Sequence, residues 1–347
     1  MPANLSPEYK AAEAAYRAAR DPRARLDGLR EMLRTIPKHK GTERLQADIK
    51  ARIKALVEEL EENRKGGGHG GPALVVRPEG AAQIALLGPP NAGKSTLHAR
   101  LTGSEAHVAP YPFTTQFPEP GMLPFEDVQF QLVDLPPIAP EHPVPWLGGT
   151  LQGADAALLV LDLGDPADLE QWEAVRSILA RLRVVLTGCW PVDDAASLRT
   201  TVTHPGESDA DDPFVVTLPT LVLANKAEAF ADPDAELGAL RELTGSAFPM
   251  LAVSAQTGFG LGAIGTWLFG HLGIVRVYTK VPGHAADRSR PFTLRRGQTV
   301  GDVARLVHRD LGHTLRYARL WGASGHDGQQ VGPEHRVADR DVVELHA

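Results

Sequence analysis

The sequence predicts an α/β protein: a central domain on a mostly parallel sheet, a helical segment before it and a small, separate α+β domain after it. Three observations predict this. From Gln83 onward, short apolar runs alternate with helical patterns, as strands and crossover helices do in a parallel sheet. A complete glycine-rich loop, Gly88-Pro-Pro-Asn-Ala-Gly93-Lys94-Ser95, follows an apolar run and opens a helical segment ending near Leu101. The segments on either side change period. The chain therefore divides into a helical region at 1–65, a glycine-rich linker at 66–80, an α/β domain at 81–273 and a C-terminal domain at 274–347.

The elements follow in order. Ser6-Pro7 and Asp21-Pro22 each pair an N-cap residue with a proline suited to the first helical turn, so two helices begin there. A third begins near Thr42, where Leu45, Ile49, Ile53, Leu56 and Leu60 recur at spacings of three and four and form one apolar stripe. Between the second and third, Ile36 to Gly41 reads as a basic turn, and Gly66 to Pro72 breaks regular structure. Strands are predicted over Ile84–Leu87, Val128–Val133, Ala156–Leu161, Thr220–Leu223 and Met250–Val253. The stretch of about 184–219 is too long for an ordinary connection and reads as an insertion carrying Asp209, Asp211 and Asp212. After Gly273 come a strand-like Val275–Lys280, a helix-like Val300–Leu311 and short strands ending at Val342–Leu345.

Composition bounds the function classes. The chain has 347 residues, 43% hydrophobic and 23% charged, which suits a soluble protein of two or three domains. Its longest apolar stretches, Ala154–Leu163 and Phe214–Ala224, fall short of the roughly 18 to 20 residues that span a bilayer, and the polar N-terminus does not read as a secretory signal. A cytoplasmic protein without membrane partners is expected. The single cysteine, Cys189, fits a reducing compartment and reads as an inert packing residue. The net charge of -7 is segregated: residues 1–65 and 274–347 are each +4, leaving -15 between them. The basic ends can attract nucleic-acid phosphates, which the acidic centre repels.

The glycine-rich loop carries the chemistry. Backbone N–H groups of Gly88, Asn91, Ala92, Gly93 and Lys94 and the helix N-terminus beyond, with Ser95 and Thr96, are placed to surround phosphates; Lys94 neutralises β/γ charge and the Ser95 hydroxyl ligates Mg2+. Four downstream motifs, taken in order, decide between a GTP-binding and an ATP-binding protein. In Tyr111-Pro-Phe-Thr-Thr115, Thr115 is expected to complete the magnesium shell. Asp134, at a strand end, holds a magnesium-bound water. Asn225-Lys226-Ala227-Glu228 follows the next strand, and a carboxylate there accepts the guanine ring N–H and exocyclic amine together. Ser254 and Ala255 close the base site with a backbone N–H for the guanine carbonyl. Lys94, Thr115 and Asp134 are the catalytic candidates. Lys38, His39, Lys40 and Arg44 are the candidates for RNA phosphate contacts. Trp321 reads as a core anchor of the last domain, and His98, His107 and His142, without ligand spacing, as surface residues.

With these residues, the sequence resembles the developmentally regulated GTP-binding proteins of the Obg-like group over nearly its whole length. The resemblance rests on the helical arm from Lys38 to Leu60, the linker, the P-loop, Phe113-Thr-Thr115 and Asp134-Leu-Pro. A C-terminal TGS domain, a β-grasp (ubiquitin-like) fold, is identified from Val275-Arg-Val-Tyr-Thr-Lys280-Val-Pro-Gly283, Leu294-Arg-Arg-Gly-Gln-Thr-Val300, Trp321-Gly322 and Asp339-Arg-Asp-Val-Val-Glu344. The resemblance implies a Ras-like G domain, magnesium-dependent GTP hydrolysis, association with ribosomes or translation-associated RNA-protein complexes, and a partner protein that regulates turnover. Asn91 resembles the P-loop asparagine of GTPases in which K+ takes the place of an arginine finger. Three departures bear on activity. Pro137 stands where the family has a glycine and offers no N–H to the γ-phosphate. Ile138 occupies the position of a water-orienting glutamine, a feature this group shares, so intrinsic turnover is expected to be slow. Glu228 replaces an aspartate, lengthening the guanine-reading arm. The alternatives are a nucleotide-dependent RNA- or ribosome-binding module with vestigial hydrolysis and, resting on Glu228 alone, an ATP-binding regulator.

Overall fold

A computed structural model describes residues 6–19, 22–37, 42–65, 76–104, 117–165, 168–192, 214–244 and 247–347. The arm consists of α1 (Pro7–Ala18), α2 (Pro22–Thr35) and α3 (Glu43–Lys65). Ser6 caps α1, its hydroxyl accepting from the Tyr9 N–H at 3.1 Å, with Pro7 in the first turn. Tyr9, Tyr16, Leu29, Met32, Ile36 and Ile49 form the arm's core, and Phe214 completes it from the next domain. The Phe214 ring stands edge-on to Tyr16 at 6.0 Å and under the Arg52 guanidinium at 4.0 Å. Arg25 donates to the Gln152 carbonyl, a second attachment of the arm. Of the predicted stripe on α3, Ile49 is fully buried and Leu45, Ile53 and Leu56 pack partly against this core.

The central domain runs β1 (Ala82–Leu87), α4 (Lys94–Thr102), β2 (Glu119–Phe125), β3 (Val128–Asp134), α5 (Leu147–Leu151), β4 (Ala156–Asp162), α6 (Asp168–Arg181), β5 (Val184–Thr187), β6 (Val216–Asn225), α7 (Pro233–Thr244), β7 (Met250–Ala252) and α8 (Gly262–His271). Its sheet has the order β2-β3-β1-β4-β6-β5, with β7 also on β6. Only β2–β3 is antiparallel. Alternation along β1 divides the core, as a strand buried on both faces requires: Ala85 and Leu87 join α5, α6 and α7 residues on one face, Ile84 and Leu86 join α4 and α8 on the other. Parallel pairing brings the C-terminal ends of β1, β3, β4 and β6 to one edge, the edge at which doubly wound sheets bind ligands.

Two expectations are corrected here. β2 was not foreseen, because Pro120, Gly121 and Pro124 punctuate it; prolines are tolerated there since β2 is an edge strand paired only to β3. The stretch of about 184–219 is not wholly an insertion, for Val184–Thr187 pairs in parallel with Val216–Pro219 and both ends belong to the sheet. The acidic run at Asp209, Asp211 and Asp212 lies outside the described residues.

The last domain comprises β8 (Ile274–Thr279), β9 (Asp287–Arg295), α9 (Val300–Val307), α10 (Arg309–Thr314), β10 (Tyr317–Trp321), β11 (Gln329–Val331) and β12 (Asp341–His346). Its sheet order is β11-β10-β12-β8-β9, parallel only at β8–β12. A capping box at Thr299 and Asp302 starts α9, which lays Val300, Val303 and Ala304 on the sheet. Trp321 is not the core anchor expected of it. Strand alternation turns Ala318 and Leu320 inward and leaves Trp321 half-exposed, with the Lys280 ammonium 4.0 Å from its ring centroid. Small aliphatic residues, among them Val277, Val300, Val303, Leu320 and Val343, fill the core instead. Among the described residues no helix is long and apolar enough to cross a membrane.

Candidate nucleotide-binding site

The loop between β1 and α4 is shaped by two close approaches. A Cβ on Gly88 would stand 2.3 Å from the Val160 carbonyl oxygen, and one on Gly93 2.4 Å from Asn225 Nδ2; both residues have positive φ. Glycine at these positions lets the loop pass under the ends of β4 and β6. Asn91 also has positive φ, 62°, and is exposed at the loop's crest.

Within this frame the candidates from four strand ends converge. Lys94 is 5% exposed and its Nζ donates to the Pro89 carbonyl at 2.9 Å. Burial pulls its pKa down to about 8 against the opposing pull of Asp134. An ammonium held in such a place is poised for an anion. Ser95 donates to Asp134 Oδ2 at 2.6 Å, and Asp134 is fully buried. A hydroxyl and a carboxylate this close to a helix N-terminus fit a hard divalent cation, with the carboxylate positioned for a metal-bound water. Thr96 continues the first turn of α4.

The base side is equally built. Asn225 Nδ2 donates to the Ala92 carbonyl at 2.8 Å and its Oδ1 accepts the Ala255 N–H at 3.0 Å, so one buried amide ties the P-loop, β6 and the loop after β7 together. In this arrangement the Ala255 amide positions Asn225. Ser254, fully buried, accepts the Thr257 N–H on its hydroxyl at 2.9 Å. Lys226, with φ 65°, extends to Asp162 Oδ2 at 2.5 Å. Glu228 is exposed in a short 3-10 turn.

Sequence reasoning missed Asp162, although an aspartate ending an apolar strand in register with Asn225 was a readable signal. It also missed that the Ile138 N–H donates to the Gly88 carbonyl at 3.0 Å, fastening the segment after Asp134 to the P-loop. Thr115, His107, Lys38, His39 and Lys40 lie outside the described residues; Arg44 is exposed at the start of α3. Two assignments were incorrect. His98 is buried, on the same inward stripe of α4 as Lys94, Leu97 and Leu101, with Nε2 3.4 Å from the Leu132 carbonyl. Cys189 is exposed in the turn after β5, not packed. His142 is exposed, as expected.

These features define a P-loop GTPase with a C-terminal TGS domain. A family model described as a 50S ribosome-binding GTPase matches residues 83–187, and one for the TGS domain matches residues 275–347. An uncharacterized GTP-binding protein of Halobacterium salinarum is 29% identical across 92% of this chain and 97% of its own. Developmentally-regulated G-protein 1 of Arabidopsis thaliana is 28% identical across 91% of this chain and 88% of its own. The YchF GTPase structure from Schizosaccharomyces pombe, 13% identical with a TM-score of 0.50 over 78% of this chain and 99% of that one, shares the fold. Within this class, the chain is similar over most of its length to developmentally regulated GTP-binding proteins, at about 28% identity.

Proposed function

We propose that this chain is a magnesium-dependent regulatory GTPase of slow intrinsic rate that acts in the cytoplasm on ribosomes or translation-associated RNA-protein complexes. The convergence of Lys94, Ser95, Asp134 and Asn225 on one sheet edge carries the nucleotide part of this reading. The ribosomal part is supported by the description of the matching family model and by the basic ends of the chain, with Lys38, Lys40 and Arg44 as RNA contacts.

The geometry of the loop and strand ends supports the following roles. Backbone amides of the loop and α4 bind the phosphates, Lys94 offsets their charge, and Asn225, Lys226, Glu228, Ser254 and Ala255 form the guanine side. Ser95, Thr115 and, through a water, Asp134 would hold Mg2+, which would supply neutralisation of the phosphate charge. Thr115 is assigned by its motif alone. Turnover is slow because Ile138 is buried and apolar, leaving no side chain there to orient water. Asn91, exposed at the crest of the loop, is the candidate K+ ligand; equal rates in K+ and Na+ remove that assignment.

A second reading, a binding module with vestigial hydrolysis, is favoured by one observation. Pro136 and Pro137 carry no N–H, and the following amide, Ile138, is already bonded to Gly88. Single-turnover GTP cleavage with and without ribosomes, alongside sedimentation with ribosomes in GTP and GDP, separates the two. The first reading expects ribosome-stimulated cleavage and GTP-dependent sedimentation; sedimentation without cleavage selects the second. Pro137→Gly is expected to raise the cleavage rate by about tenfold, the worth of one restored amide bond to an anion.

A further inference from the structure

The two residues that turn β2 into β3, Glu126 and Asp127, are gripped by the TGS domain. Arg276 of β8, its side chain 4% exposed, reaches Asp127 at 2.8 Å and Glu126 in the G domain and Asp339 of its own domain at 2.6 Å. Tyr278 donates its phenol proton to the other Asp127 oxygen, and Arg340 adds a contact to Glu126 at 3.1 Å. The guanidinium of Arg276 also lies 4.6 Å from the centroid of Phe269 on α8, whose ring packs at 5.4 Å on Phe125, the last residue of β2. One buried cation thus joins the hairpin turn, α8 and the TGS sheet. Arg295 to Asp155, at 3.0 Å, is a second tether, away from the hairpin.

The other end of the same hairpin is in the nucleotide site. Glu119 pairs with Asp134, and Phe125 with Val128, in an unbroken ladder of seven residue pairs. At about 3.4 Å per residue the turn and Asp134 stand roughly 20 Å apart. Such a ladder cannot slip by one residue without reversing its faces, so displacement at one end is carried to the other. β2 is an edge strand, restrained in the sheet by β3 alone. The sequence before β2 contains Thr115 and that after β3 contains Pro136 and Pro137, so the stretches carrying the magnesium-shell threonine and the γ-phosphate-side prolines flank this hairpin.

We propose that the TGS domain is a latch on the nucleotide site: its grip on the Glu126-Asp127 turn sets the position of the β2–β3 hairpin and so couples TGS attachment to the choice between GDP and GTP. This rests on the nucleotide reading of the site. Coupling of this kind is reciprocal, so a ligand that pulls the TGS domain from the turn shifts nucleotide preference by the factor by which the nucleotide shifts TGS attachment.

The test uses the full chain with Glu126→Gln and Asp127→Asn combined. Both side chains lie outside the phosphate and base sites, and Arg276 keeps Asp339. The ratio of affinities for GDP and a non-hydrolysable GTP analogue is expected to change by about fivefold or more, the usual lower end of allosteric coupling. Hydrogen exchange in the absence of nucleotide is expected to show lost protection over residues 128–134. An unchanged ratio with unchanged protection overturns the latch. Wild-type protein that binds no guanine nucleotide overturns the function proposed above, and exchange at residues 128–134 then decides the latch alone. Arg276→Gln is the second variant: a folded protein with the same altered ratio supports the latch, and one with the wild-type ratio overturns it.

Discussion

Among the described residues, Lys94 and Arg276 are buried cations, and their surroundings are opposite. Lys94 has a carbonyl as its hydrogen-bond partner and burial lowers its pKa to about 8. Arg276 has three carboxylates, and its pKa is raised, first by the hydrogen bond it donates to Asp339, against the downward pull of burial, and further by those it donates to Glu126 and Asp127. A buried charge that the fold leaves poorly compensated is a cost borne for a ligand, whereas one the fold surrounds with counter-charge is part of the joint between domains. The difference separates a binding site from a structural clasp without reference to motif.

Removing each cation sharpens the contrast. Lys94→Ala is expected to weaken GDP binding on the order of 1,000-fold, as truncating one partner of a buried charge pair does, without lowering the thermal midpoint. Equilibrium binding of a fluorescent GDP and a melting curve check both. A melting point that falls as far as binding does would make Lys94 a structural residue and erase the comparison. Arg276→Met is expected to act the other way, costing about 2 kcal/mol of stability in denaturant titration because the charge-assisted hydrogen bonds across the joint are lost while Glu126 keeps Arg340 and Asp127 keeps Tyr278, with GDP still bound.

Acid–base behaviour gives a third measure. The unfolded chain holds its lysine protons to the ordinary value of 10.5, while Lys94 in the fold releases its proton near pH 8. Between those values the unfolded state binds more protons, so this group's contribution to stability rises with pH; below about 8 the penalty is present in full. Phosphate binding reverses the shift by favouring the ammonium. Affinity for GDP is therefore expected to fall as pH rises past about 8, by at most about tenfold per unit, measured at constant ionic strength with Lys94→Arg as the insensitive control.

The same contrast explains what was legible in the sequence. The P-loop was readable because its backbone demands residue types at fixed spacing: glycine where Val160 and Asn225 approach, lysine where phosphate charge must be met. The strands leading to it were readable as apolar runs buried on both faces. β2 was not, because an edge strand with two prolines and a glycine carries turn signals. The Arg276 clasp was invisible, since its partners Asp127 and Arg276 lie 149 positions apart and each reads as one more solvated charge. His98 and Trp321 were misread for a related reason: burial depends on which face of an element a residue shares, and periodicity within α4 and β10 held that information where residue type did not.

The smallest expected effect tests the base side of the site. Asp162 Oδ2 holds Lys226 at 2.5 Å, and its Oδ1 accepts the Gly164 N–H at 3.1 Å, so the carboxylate is fixed by its own turn before it orients the lysine. Lys226 is 40% exposed and Asp162 19%, which screens the pair and limits its worth to about 1 kcal/mol. Asp162→Asn keeps the shape and the acceptor for Gly164 while removing the charge. GDP affinity is expected to fall about threefold, with little change in the effect of Pro137→Gly on cleavage, because the two act at opposite ends of the nucleotide. A loss of tenfold or more would mean that Asp162 also meets the nucleotide directly, and the base side would then depend on compensated charge as much as the clasp at Arg276 does.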